Sequence, residues 1–262
     1  MINKNTAPCV APLFVPATSP ERFAKAAASG ADAVIIDLED AVASNEKVSA
    51  RDALRSAKGS FLVRINGSNT PWFADDVAAC KALDVAAIML PKVERVAEID
   101  HLNMLSNNIP VIALIESAFG LANARAIASS GVARLAFGSL DFAVDLGCAH
   151  EPDALLFARS ELVMASRLAG IAAPLDGVTV AIDDSVLLQE DSRRAASFGF
   201  GGKLCIHPKQ IETVLTAFRP SADEIAWAER IMLAADDGVV NVGGTMVDVP
   251  VRLRAQRILG GH

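Results

Sequence analysis

No stretch of this 262-residue chain is apolar for long enough to cross a bilayer. Its longest apolar runs, such as Ala86–Leu90 and Pro110–Ile115, fall far short of the roughly 20 residues a spanning helix needs. The N-terminus, Met-Ile-Asn-Lys-Asn-Thr-Ala-Pro-Cys, lacks the apolar segment of a secretory signal. Basic runs are missing as well, and the formal net charge is −7. That balance argues against nucleic acid as the main partner, though not against a local basic pocket for an anionic substrate. Cys9, Cys80, Cys148 and Cys205 are widely spaced and form no CxxC pair, so they read as buried free thiols in a reducing cytoplasm. Tyrosine is absent altogether, and much of the apolar content is alanine, which favours tightly packed helices. The expectation is a cytoplasmic protein of one large core that binds neither membrane nor nucleic acid.

What is present is an alternation. Short β-rich runs fall at Ala11–Val15, Ala33–Asp37, Phe61–Ile65, Ala86–Leu90, Val111–Ile115, Arg134–Phe137, Ala173–Asp176 and Gly202–Ile206. Segments of helical periodicity lie between and after them: Pro20–Ser29, Asn45–Ser56, Trp72–Ala82, Val93–Leu105, Leu121–Ser129, Pro152–Leu168, Ser185–Ser197 and Lys209–Ala217. Ser19 before Pro20 reads as a helix cap, and Gly30 and Gly131 read as left-handed helix ends. Eight strand–helix pairs make a (β/α)8 TIM barrel over residues 1–220 the economical fold. The rival is an open doubly wound sheet, but the turn after its first strand, Val15-Pro16-Ala17-Thr18, has no glycine for a nucleotide site. Residues 221–262 break the repeat. They read as a C-terminal extension: a helix over Asp223–Ala235, a hairpin around Gly243-Gly244 and a basic helix over Val251–Leu259. Such an extension is suited to covering the barrel mouth or docking on a neighbouring subunit.

Polar residues collect where these strands end, the side on which a barrel of this kind builds its site. Asp37, Glu39 and Asp40 follow the second strand, Arg64 and Asn66 the third, Lys92 the fourth and Glu116 the fifth. Asp141 follows the sixth, Asp176 the seventh and His207 the eighth. Glu116 and Asp141 are each the first charge after a buried run. A carboxylate placed there carries a desolvation cost normally offset by a cation. Together they suit a hard divalent ion such as Mg2+, with ion pairing to Arg64 or Lys92 as the alternative. Asp37, Glu39 and Asp40 are too crowded for all to ligate one ion and fit the orientation of its waters. Arg64 suits bidentate capture of a substrate carboxylate, or else a salt bridge to Asp37 or Glu39. Lys92, among carboxylates, should stay charged and do electrostatic or structural work. A metal-independent Schiff base on Lys92 or Lys203 is the competing chemistry. His207 reads as loop-shaping, and Asp145 as part of the turn after Asp141.

The segments Leu13–Ala17, Asp37–Val42, Arg64–Asn66, Leu90–Lys92, Ile115–Ala118, Phe137–Asp141 and Gly201–Pro208 resemble the citrate lyase beta-subunit-like family of the HpcH/HpaI aldolase superfamily. The resemblance covers nearly the whole chain. It implies a TIM barrel, Mg2+ on Glu116 and Asp141, Glu116 touching both metal and substrate, and Arg64 on the substrate carboxylate. The implied activity is a Mg2+-dependent carbon–carbon lyase acting on a carboxylated 3-hydroxyacyl thioester of citryl-, malyl- or citramalyl-CoA type. Its products would be a 2-oxo acid and an acyl-CoA thioester. Malate synthase or malyl-CoA thioesterase activity, or a lyase subunit that needs an acyl-carrier partner, are the alternatives. The resemblance further implies a homotrimer or a multiple of it. Its C-terminal segment, matched here by Met246-Val247-Asp248, would lie over a neighbour's site, with Asp248 as acid/base.

Overall fold

A computed structural model describes residues 9–83, 85–234, 240–242 and 245–260. Two compact units make up the chain, Met1–Thr216 and Ala217–His262.

In the first unit the strands are β1 (Leu13–Pro16), β2 (Val34–Asp37), β3 (Leu62–Arg64), β4 (Ala87–Leu90), β5 (Val111–Ile115), β6 (Arg134–Phe137), β7 (Ala172–Asp176) and β8 (Gly202–Lys203). All neighbours pair in parallel, in sequence order. Strands covered on both faces read as unbroken apolar runs, and β2, β4, β5 and β6 are buried at every position. Side chains alternate between faces. On one face Ile35, Leu62, Ala87, Met89, Ile112, Leu114, Ala136, Leu175 and Leu204 pack into a single apolar cluster.

The expected closed (β/α)8 TIM barrel is corrected. The sheet is ordered from β1 to β8, and among the described residues no strand ladder joins β8 back to β1. Where the edges meet there is one isolated parallel bridge, Leu13 with Cys205. Backbone hydrogen bonds flank it, from Phe14 N to Cys205 O (2.8 Å) and from Cys205 N to Pro12 O (2.9 Å). The result is a curled, open parallel sheet. Two local features explain the open seam: β8 holds only two residues where five were expected, and Pro12 brings no N–H to the edge of β1.

Most helices lie where periodicity places them; Ser185–Phe198, capped by Asp184 and ended by Gly199 at φ 97°, is one example. Gly30 and Gly131 do adopt positive φ. Ser19 makes no side-chain cap, and its segment is a 3-10 turn (Pro20–Arg22) leading into a short helix, Phe23–Ala27. The fifth expected helix is two pieces, Ala118–Ala122 and Ala124–Ala128, and an unexpected helix, Ser139–Leu146, follows β6.

The second unit has a helix Ala222–Ala234, antiparallel strands β9 (Val240–Val242) and β10 (Thr245–Val247), and a helix Val249–Gly260. Ala228, Ile231, Val247 and Ala255 form its core. The expected turn at Gly243-Gly244, and the end of the first helix at Ala235, lie outside the described residues.

Candidate active site

The alternation that builds the apolar cluster also builds the layer above it. Two residues beyond Ile35, Leu62 and Leu114 on the same face stand Asp37, Arg64 and Glu116. Asp37 and Arg64 are register partners on β2 and β3. Arg64 donates from Nε to Asp37 Oδ1 (2.8 Å) and from Nη2 to Asp37 Oδ2 (2.7 Å). Its Nη1 lies 3.1 Å from Glu39 Oε2 and 3.7 Å from Asp40 Oδ2. Burial opposes the guanidinium charge, but the hydrogen bonds and charge of Asp37, then Glu39 and Asp40, raise its pKa above the ordinary value. One edge of the guanidinium is therefore taken by Asp37, and the outer Nη1/Nη2 edge is what Arg64 has left to offer a ligand.

Lys92 acts twice. Its Nζ donates to Glu39 Oε1 (2.5 Å), and its backbone N donates to Glu116 Oε1 (2.6 Å). It is held at φ 53°, a conformation non-glycine residues rarely adopt and keep only where surroundings impose it. Burial works against the ammonium, but Glu39, Asp40 and Glu116 raise its pKa, so Lys92 is a fixed cation rather than an amine nucleophile. Glu39 is itself raised, by burial first; Arg64 and Lys92 pull the other way. Its Oε2 is buried and has no hydrogen bond among the described residues despite the nearby Arg64.

Glu116 is 3% exposed, and its pKa is pushed up to about 8. Burial is the largest cause; the charges of Glu39 and Asp141 add to it, and the Lys92 N–H and Arg64 offset only part. Its other oxygen fits because residue 138 is glycine: a Cβ there would fall 2.4 Å from Glu116 Oε2. Asp141 does not sit at a strand mouth. It occupies the first turn of the helix Ser139–Leu146 and is exposed. Asp145, on the same helix rather than in a turn, accepts from Ala118 N (2.7 Å) and ties that helix to the exit of β5.

Glu116 and Asp141 both line a cleft of about 410 Å3, together with Asp37, Asp40 and Arg64. They also line an adjoining recess of about 380 Å3, which Lys92, Glu94 and Glu98 share. Among the described residues no group of three or more His, Cys, Asp or Glu side chains is arranged to hold a metal ion. Two carboxylates suffice for a hard cation that keeps waters and takes substrate oxygens in its remaining positions. The donor set fits such an ion: two carboxylates face the same cleft, and one carries an uncompensated burial cost that a divalent charge would relieve.

Other expected residues lie elsewhere. Asp176, next to Leu175 of the apolar cluster and so on the other face of the sheet, is buried and receives Arg159 Nε at 3.0 Å and Lys203 Nζ at 3.4 Å. Lys203, 1% exposed, also donates to Gly177 O (2.6 Å). His207 caps the 3-10 turn Pro208–Gln210 through Nδ1. Asp248 belongs to the second unit, where Oδ1 accepts from Val251 N (3.1 Å) at the start of the last helix. Two features escaped the sequence. Lys47, buried, donates to Leu38 O and Glu39 O (both 2.8 Å) and holds the loop that carries Glu39 and Asp40. Ser139, on the cleft wall, lies 2.9 Å from His150 Nε2. A buried lysine in a helix and a histidine in an irregular segment give no periodic signal.

Known proteins are similar to this chain over nearly its whole length. The family model for HpcH/HpaI aldolase/citrate lyase matches residues 11–208. The citrate lyase subunit beta of Leuconostoc mesenteroides subsp. cremoris is 36% identical, with 94% of this chain and 91% of that one covered. The citrate lyase subunit beta-like protein of Mycobacterium tuberculosis (strain ATCC 25618 / H37Rv) is 39% identical, covering 94% and 93%. The crystal structure of CitE from Mycobacterium tuberculosis in complex with magnesium, acetoacetate and coenzyme A superposes with a TM-score of 0.89. The identity is 38%, and 97% of this chain and 98% of that one are covered.

Proposed function

Because the chain belongs to the HpcH/HpaI aldolase/citrate lyase family, we propose that it is a Mg2+-dependent carbon–carbon lyase. It cleaves a carboxylated 3-hydroxyacyl thioester to a 2-oxo acid and an acyl-CoA thioester. The observation that carries this reading is Glu116: a buried carboxylate raised to about 8, facing the same cleft as Asp141 and Arg64. A related structure holds magnesium, a 3-oxo acid and coenzyme A together.

Glu116 and Asp141 would hold the Mg2+ ion, which supplies Lewis-acid stabilisation of charge on the substrate's oxygens. Arg64 presents its outer edge to the substrate carboxylate or carbinol oxygen, while Asp37 fixes the plane of the guanidinium. Lys92 sets the position of Glu116 through its N–H and neutralises Glu39 through its ammonium. Asp37, Glu39 and Asp40 keep the cation side chains and ion-bound waters oriented. The proton shuttle falls to Asp248 of a neighbouring subunit's C-terminal extension, in a homo-oligomer built on threes. Four free cysteines suit a reducing, cytoplasmic setting. No helix among the described residues is long and apolar enough to cross a membrane.

The test is direct. Purified protein incubated with Mg2+ and malyl-, citramalyl- or citryl-CoA is expected to release a 2-oxo acid and acetyl-CoA, identified by mass, and excess chelator is expected to stop it. Undiminished cleavage in chelator, or an adduct trapped on Lys92 by borohydride, would overturn the reading in favour of a Schiff base.

The raised Glu116 pKa gives a second expectation. Below about pH 8 the metal-free carboxyl carries a proton that the ion must displace. The apparent Mg2+ affinity is expected to rise by up to about tenfold per pH unit on the acid side and to level off above about 8. Titration calorimetry in two buffers of different ionisation enthalpy measures both the affinity and the released proton. A pH-independent affinity from pH 6 to 8, with no proton released, would contradict it.

A further inference from the structure

Ser139 and His150 join the cleft to the protein surface. Ser139 lines the cleft and is 2% exposed, whereas His150, in the segment before the helix Leu156–Ala169, is exposed. Ser139 Oγ lies 2.9 Å from His150 Nε2. Gly147 ends the helix Ser139–Leu146 at φ 71°, and the chain turns back so that His150 meets the first residue of that helix. Bare backbone fixes the hydroxyl as well: a Cβ on residue 177 would overlap Ser139 Oγ and fall 2.8 Å from its Cβ. Gly177 is held in turn by Lys203, whose Nζ donates to its carbonyl at 2.6 Å.

A hydroxyl buried to this degree needs a partner, and alanine would fill the space without one. Among the described residues the Ser139 hydroxyl bonds to His150 alone. A hydroxyl paired with an imidazole can take up one proton while handing its own to the ring nitrogen. The groups around His150 keep the ring neutral and able to receive it. Partial burial lowers its pKa first, then the charges of Arg159 and Lys203, against Asp191 and Asp176, which raise it. Transfer in this direction uses the tautomer with Nδ1 protonated and Nε2 free. The position suits the chemistry too. Ser139 directly follows Gly138, whose missing Cβ lets Glu116 Oε2 approach, so the hydroxyl and the Glu116 carboxylate share one end of the cleft.

Building on the lyase reading above, we infer that Ser139 contacts the substrate and, with His150 behind it, carries the carbinol proton out to solvent. In cleavage, the carbinol hydroxyl gives its proton to Ser139 Oγ as Ser139 passes its own to His150 Nε2. The C–O becomes the ketone, the bond from the carbinol carbon to the methylene breaks, and its electron pair passes into the enolate of the acyl thioester. The enolate carbon takes its proton from the other group of the shuttle, assigned above to Asp248 of a neighbouring subunit. The imidazolium then returns its proton to water at the surface, and no oxidant or reductant is consumed. His150 touches no substrate, so it is a positioning residue: it turns the hydroxyl's lone pairs toward the cleft and accepts the proton passed on.

The experiment uses the full chain with Mg2+ and whichever of malyl-, citramalyl- and citryl-CoA the parent cleaves fastest. Ser139→Ala is expected to lower kcat by about 100-fold or more, to change KM by less than about threefold, and to bind Mg2+ as the parent does in titration calorimetry. His150→Ala is expected to lose a similar factor and to regain at least about tenfold when imidazole is added, since the free base can enter at an exposed position. His150→Gln keeps an acceptor for the Ser139 hydroxyl but offers no basic nitrogen, and is expected to stay low with or without imidazole. Near-parent kcat in Ser139→Ala or His150→Gln overturns the inference and leaves the lyase reading standing. Weakened Mg2+ binding in Ser139→Ala also overturns it, by assigning the loss to Asp141 on the same helical turn. A His150→Ala variant that imidazole does not restore overturns it as well, by reducing His150 to a structural part. Cleavage of none of the three thioesters by the parent overturns both readings.

Discussion

Replacing Glu116 with glutamine is expected to lower Mg2+-dependent turnover by at least about 1,000-fold, with the protein still folded. Glutamine keeps the shape and an acceptor for the Lys92 N–H, so the strand exit has no reason to rearrange. What it loses is the negative charge that holds the cation. Because burial already pushes the Glu116 pKa up to about 8, the metal-free side chain must take up a proton on folding at neutral pH, which is a cost to the fold. The variant is therefore expected to melt at or above the parent's temperature without metal and to lose the stabilisation that Mg2+ gives the parent. The sign follows from linkage: an acid with a raised folded pKa adds stability while protonated, and that stability is lost as pH rises toward about 8. Thermal melts with and without Mg2+, alongside turnover, separate the two effects. Near-normal activity in the glutamine variant would remove Glu116 from the metal site. Asp141→Asn should lose activity comparably and change stability little, since Asp141 is exposed.

The largest expected loss of stability is at Asp176→Ala. Asp176 is 1% exposed and stands between two buried cations, Arg159 at 3.0 Å and Lys203 at 3.4 Å. Removing it leaves both uncompensated, at a cost of about 3–5 kcal/mol. For a domain of ordinary stability that is a large fraction of the total, so poor recovery of soluble protein is the expected phenotype. Chemical denaturation of whatever folds measures it. Asp176→Asn, which retains an acceptor, is expected to lose less. A midpoint for Asp176→Ala indistinguishable from the parent's would mean that the two cations find other partners.

The strands were legible because a strand buried on both faces has no choice but to be apolar. Val111–Ile115 and Arg134–Phe137 start and stop where the sequence pattern does. The strand-end charges were legible for the same reason: against such a run, Asp37, Arg64 and Glu116 stand out. What stood beyond reach depends on distance in the chain. Arg64 had two plausible partners in sequence, a ligand or Asp37, and only the register of β2 with β3 puts both oxygens of Asp37 against it. The helix Ser139–Leu146 gives no signal because Gly138-Ser139 reads as a loop, so the sequence puts Asp141 at a strand end although it rides a helix. Ring closure is beyond the sequence for a related reason. Eight repeats imply a barrel only if the last strand is long enough to pair with the first, and strand length at β8 is set by where Leu204–Ile206 leaves the sheet.

The seam between β8 and β1 bears on how the first unit assembles. Every other strand pair joins neighbours in sequence, so the sheet can grow by short loop closures, each of modest entropic cost. The Leu13–Cys205 bridge alone spans nearly the whole unit. It is the contact of greatest sequence separation in the sheet, an isolated bridge rather than a ladder. The seam is thus where the sheet should zip last and open first, and the backbone amides of Phe14 and Cys205 should exchange with solvent well before those at the centre of β5. New chain ends introduced there by circular permutation would cut the sheet at its contact of longest range, beside Phe14, Leu204 and Ile206 of the cleft.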